Sequence, residues 1–157
     1  MTDKEEILKE LKRRYNNLKE ENKIKTNLED LERIFYVKDM FVKDGFVAER
    51  LSRRICHRIS ETFMDWNGYL HSIVMPNPQN MLNMMESKVF TQDEKKEMME
   101  IMKKIMELGS RNSVLVLTND KTEEAKFIDE ATKFWDSEFR NQMTKIMKKI
   151  NSEWAKK

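Results

Sequence analysis

Between residues 50 and 58 the chain places Arg50, Arg53, Arg54, His57 and Arg58, with no acid among them. At about 100° per residue these five side chains gather on one side of a helix. Leu51, Ile55, Ile59 and Phe63 fall on the other side. A ridge of this kind suits anions, because the guanidinium fork pairs carboxylates or phosphates bidentately. Its mate is open. Residues 120–138 hold seven acids against three lysines, so the ridge has an acidic counterpart within the chain or across a homodimer. The solvated or intramolecular reading leads. An anionic protein partner follows, and a nucleic-acid backbone, where each neutralised phosphate releases counterions, comes last.

Other chemistry is harder to assemble. His57, Glu61 and Asp65 recur every four residues and share a helix face. A carboxylate-bridged metal pair needs a Glu three residues before each His. Arg54 and Gly68 hold those positions, so no metal is expected. Cys56 beside His57 is no catalytic dyad, since adjacent helical residues point about 100° apart; the thiol reads as a small core residue. No glycine-rich phosphate loop occurs, and no serine stands in a strained elbow. No cofactor and no small-molecule substrate are implied, and the chain reads as non-enzymatic. "VKDGFVAERL" resembles a helix–turn–helix junction only loosely, because Phe41 and Asp44 occupy positions that motif keeps small and apolar.

Seven methionines, Met81, Met84, Met85, Met98, Met99, Met102 and Met106, stand within 26 residues (81–106). Their thioethers are soft ligands, yet the helical spacing favours a flexible core or a groove for another helix. Near the N-terminus Leu8, Leu11, Tyr15 and Leu18 form one narrow stripe, closer to a coiled-coil seam than to a core face. The expected helix-docking surface is thus Leu8, Leu11, Tyr15 and Leu18 with Met81, Met85, Met98 and Met102.

The elements that must position these groups are all helical. Thr2 with Glu5, Thr26 with Glu29 and Thr91 with Glu94 have capping-box spacing, and each predicts a helix start. The second of these helices is expected to run to Gly45. A third runs from about Phe46 to Met75, tolerating Asn67-Gly68, and stops at Pro76 to Pro78. A short Met-rich helix spans about 79–88, and the next is expected to close at Gly109. "SVLVL", residues 113–117, is the only β-like run and reads as a short buried helix, since one strand forms no sheet. The last helix reaches Trp154, its buried side marked by Ala125, Ile128, Ala131, Trp135, Phe139, Met143, Ile146, Ile150 and Trp154. Its second half, residues 140–157, carries six basic residues against one acid.

The sum is an all-α helical bundle of about five to six helices with a long C-terminal helix and an N-terminal helical hairpin or coiled-coil arm. A chain of 157 residues fits one domain, with residues 1–25 as a protruding arm. A net charge of +2 drives no global attraction to nucleic acid or membrane. The lone cysteine favours a reducing compartment; with no secretory h-region and no membrane span in the sequence, the cytoplasm is expected. The function expected is a helix-binding interaction module, an adaptor, regulator or assembly subunit, acting on itself or on a protein partner. A nucleic-acid-binding protein using the basic helix face is the alternative.

Overall fold

The computed structural model describes residues 2–156, and all regular structure among them is helical. The elements are α1 (Asp3–Asn22), α2 (Leu28–Phe35), α3 (Val37–Asp44), α4 (Leu51–Val74), α5 (Met81–Ser87), α6 (Gln92–Thr118), α7 (Lys121–Phe134), a π-helical turn (Trp135–Phe139) and α8 (Arg140–Trp154). The last three follow without a break and form the long C-terminal helix. The chain divides into two compact units: residues up to Thr62 with Ser110–Lys133, and Phe63–Gly109 with residues from Phe134 onward.

In the first unit, Thr2 and Glu5 close the expected capping box and start α1. Leu11 and Tyr15 are fully buried, and α1 packs on α3. Two of the four residues of the expected seam are therefore core. Thr26 caps nothing. Its amide and hydroxyl both donate to Asp129 of α7, at 3.0 and 2.7 Å, and Asn27 takes the cap position of α2 instead. The turn between α1 and α2 is held further by the Lys25 amide on Asp129 and by the Tyr15 hydroxyl, which donates to the Thr26 carbonyl at 2.7 Å. The single helix expected to Gly45 is two, because Tyr36 adopts φ 55° and ends α2. Gly45, at φ 83°, ends α3 as expected. Arg14 then donates to the carbonyls of Val47, Ala48 and Glu49 at 3.1, 2.7 and 2.8 Å, fixing the segment before α4.

The second unit is built around aromatic rings. Phe63 stacks on Phe134 with centroids 5.6 Å apart and meets Phe139 edge-on at 5.2 Å. Trp135 and Phe139 lie 4.9 Å apart. The spacing that produces this cluster is Ala131, Trp135, Phe139 and Met143, four residues at every step. In a 3.6-residue helix such a stripe drifts around the axis; the wider π turn takes up the extra residue and keeps it inward. Asn67 and Gly68 lie within α4, as expected, and α4 stops before Pro76. Thr91 and Glu94 form their capping box at 3.0 and 3.1 Å.

Other expected boundaries and burials are corrected, among them the start of the third expected helix, since α4 begins at Leu51 and not near Phe46. α6 does not close at Gly109 but continues to Thr118, so "SVLVL" is its C-terminal end. That end is not buried: Leu115 faces the core, while Val114, Val116 and Leu117 are exposed. Asn119, at φ 53°, makes the stop. Trp154, expected on the buried side of the last helix, is nearly half exposed.

Candidate functional site

The basic ridge is occupied mostly by its own chain. Arg53 is one-seventh exposed; its guanidinium donates to the Glu124 carboxylate at 3.3 Å and to Asn112 Oδ1, joining α4, α7 and α6. Glu124 is itself buried and accepts from Ser52 Oγ at 2.7 Å. Arg54 lies 3.4 Å from Asp44 and 3.8 Å from Glu61. His57 Nε2 stands 3.0 Å from Glu61. Arg58 Nε donates to the Phe35 carbonyl at 2.9 Å. Among the described residues, Arg50 alone of the five is exposed with no side-chain partner, at the edge of a hollow of about 500 Å³. That hollow mixes Arg14, Arg50, Arg53 and Lys121 with Glu21, Glu49 and Glu124, so most of its positive charge is offset within its own walls. Next to the ridge, burial pushes the Cys56 thiol up to about 12, with Arg53 opposing, and the thiol donates to the Glu124 carbonyl at 3.5 Å. A thiol so placed is no nucleophile near neutrality.

The expected docking residues separate cleanly. Leu11, Tyr15 and Met98 are core and leave the docking surface; Leu8, Leu18 and Met102 are half-buried. Met81 and Met85 are exposed. They share α5 with Leu82, and all three point outward: Met81 is 75% exposed, Leu82 61% and Met85 47%. α5 is anchored from its other side by Ser87, whose hydroxyl donates to the Ile73 carbonyl at 2.6 Å. Glu86 accepts from the Tyr69 hydroxyl at 3.1 Å and from Trp154 Nε1 at 2.9 Å. Burial first, then that bond to Glu86, raises Tyr69 to about 12. Between Met85, Val89, Ile150 and Trp154 lies a hollow of about 250 Å³.

A second apolar hollow, of about 360 Å³, was not anticipated as a site. Trp66, Trp135, Phe139, Met143 and Met147 line it, with Arg140, Thr144, Lys148 and Asn151 along its edge. Phe139 and Met143 are buried, and the two tryptophans are half-buried. The signal in the sequence was the four-residue spacing through Trp135, Phe139 and Met143. It reads as an ordinary core stripe until the π turn opens the helix beside it.

Among the described residues no group of three or more His, Cys, Asp or Glu side chains is placed to hold a metal ion. No helix there is long and apolar enough to cross a membrane. Compared with protein-family models, curated proteins and solved structures, the chain matches none.

Proposed function

We propose that the chain is a non-enzymatic helix-binding module, an adaptor, regulator or assembly subunit that docks helices of a second copy or of a protein partner. The observation that carries this reading is α5, a helix anchored through Ser87 and Glu86 while Met81, Leu82 and Met85 face outward. Outward methionine and leucine suit helix recognition, because flexible thioethers repack around different apolar side chains. The lone, buried Cys56 fits a reducing compartment, and the cytoplasm is the location proposed. The nucleic-acid reading draws no such support, since Arg53, Arg54, His57 and Arg58 are engaged within the chain.

Light scattering on the purified chain, with affinity capture, tests the reading. The wild-type chain self-associates or retains a protein partner, and the Met81→Glu, Leu82→Glu variant does neither while keeping its helical spectrum. A strict monomer that captures nothing beyond what the variant captures contradicts it.

A further inference from the structure

The groove beside the π turn has the length, lining and edge charge to specify one kind of occupant. Its residues on α8 are 140, 143, 144, 147, 148 and 151, the i, i+3, i+4, i+7, i+8, i+11 series of one helix face. From Arg140 to Asn151 that face runs about 16 Å at 1.5 Å per residue, close to three turns. Trp66 and Trp135 stand half-buried over a floor of Phe139 and Met143. Tryptophans that keep part of their rings open over an apolar floor are the residues that dominate binding energy when a side chain enters between them. The edge is cationic. Arg140 and Lys148 are exposed, and neither side chain has an ion pair or hydrogen bond among the described residues. They contrast with Lys104 and Lys149 of the same unit, which pair with Glu138 and Glu94. Eight residues separate the two edge cations, about 12 Å along the axis.

We infer that this groove docks an amphipathic helix of a partner protein, with apolar side chains seated between Trp66 and Trp135 and carboxylates along one edge meeting Arg140 and Lys148. The inference rests on the helix-binding reading and adds the partner's charge and the site of docking. A helix running alongside α8 presents acids two turns apart, seven or eight residues, at the separation of the two cations. A nucleic acid is the poorer occupant: two cations neutralise at most two phosphates, and the apolar floor contributes nothing to counterion release.

The probe is a pair of capped synthetic peptides of about sixteen residues, each with a leucine and phenylalanine stripe. One carries glutamates two turns apart along an edge of that stripe, the other lysines at the same positions. The read-out is the set of three indole N–H signals in a nitrogen-15 spectrum during titration. The glutamate peptide shifts the indole signals of Trp66 and Trp135 and leaves that of Trp154 in place. It binds at least about tenfold more tightly than the lysine peptide, and Arg140→Glu with Lys148→Glu inverts the order. Saturation at neither peptide, equal binding of both, or an order unmoved by the charge reversal overturns the inference. So does displacement of the peptide by a duplex oligonucleotide, or a dimer that Met147→Asp converts to monomer, since each names a different occupant. The two proposals fail separately. If Met81→Glu with Leu82→Glu abolishes association while the peptides ignore charge, the groove inference falls alone. If the peptides follow charge while association survives those substitutions, the α5 reading falls alone.

Discussion

The first unit turns its charged side chains toward itself, and the second leaves several of its apolar ones turned out. In the first, Arg14 holds three carbonyls, Arg53 joins Glu124 and Asn112, Arg58 holds the Phe35 carbonyl, and Asp129 takes three donors from the 25–26 turn. Each of these bonds links segments far apart in sequence. In the second unit the interior is Phe63, Phe134, Trp135 and Phe139, and its ion pairs, such as Lys149 with Glu94, lie nearer the surface, while Ser87 holds the Ile73 carbonyl beneath α5. Exposed large apolar side chains occur in both: Phe46 and Leu117 in the first, Met81 and Leu82 in the second. The difference is what lies beside them. In the second unit they lie beside apolar hollows walled by methionine and tryptophan and edged by charged side chains. A conspicuous cluster of charge is therefore here a structural device, and the less conspicuous apolar surface is the stronger candidate for recognition.

Breaking the first unit's network should have the largest effect. Arg53→Ala leaves Glu124 buried without its cation and should cost about 3–5 kcal/mol, whereas Arg50→Ala, at the exposed end of the same ridge, should change stability by less than about 0.5 kcal/mol. Chemical denaturation of the two variants side by side checks the pair. Equal, small losses would show the ridge to be solvated throughout. Asp129→Ala comes next. It removes the acceptor for two amides and a hydroxyl and should cost about 2–3 kcal/mol, with amide exchange at Lys25 and Thr26 accelerated. Protection unchanged at those two amides would contradict the assignment. The smallest effects sharpen the contrast through glycine. Gly45 needs its left-handed backbone, so Gly45→Ala should lose about 1 kcal/mol. Gly68 lies in the helical part of the second unit with open space where a Cβ would stand, so Gly68→Ala should gain about 0.5–1 kcal/mol. Thermal melts decide the sign of each.

What could be read in advance followed from local chemistry. The boxes at Thr2 and Thr91 formed because nothing competed for their hydroxyls. Thr26 has the same spacing, but a carboxylate 103 residues away takes both its donors, and no local pattern reveals that. Tyr36 in a left-handed conformation is likewise invisible to propensity, since an aromatic residue rarely adopts it. Gly109 failed as a stop because a helix interior tolerates glycine where neighbours pack; a Cβ there would touch Met64 Sδ at 3.3 Å. The arginine ridge was legible as a pattern, and its acidic mate in the last helix was legible as a charge excess. Glu124 meets Arg53, while Arg54 turns instead to Asp44 and Glu61. Of the docking residues, Met81 and Met85 were recognisable by type, whereas Met98 of the same run is core. Periodicity identifies a face without saying what covers it.

The α5 face, on this reading, is surface the fold does not use. That is tested most directly by the unfolding free energy of Met81→Ser with Leu82→Ser measured against wild type. A change within about 0.5 kcal/mol is expected, as for exposed positions. A loss of about 2 kcal/mol or more, the cost of truncating core side chains, would contradict it.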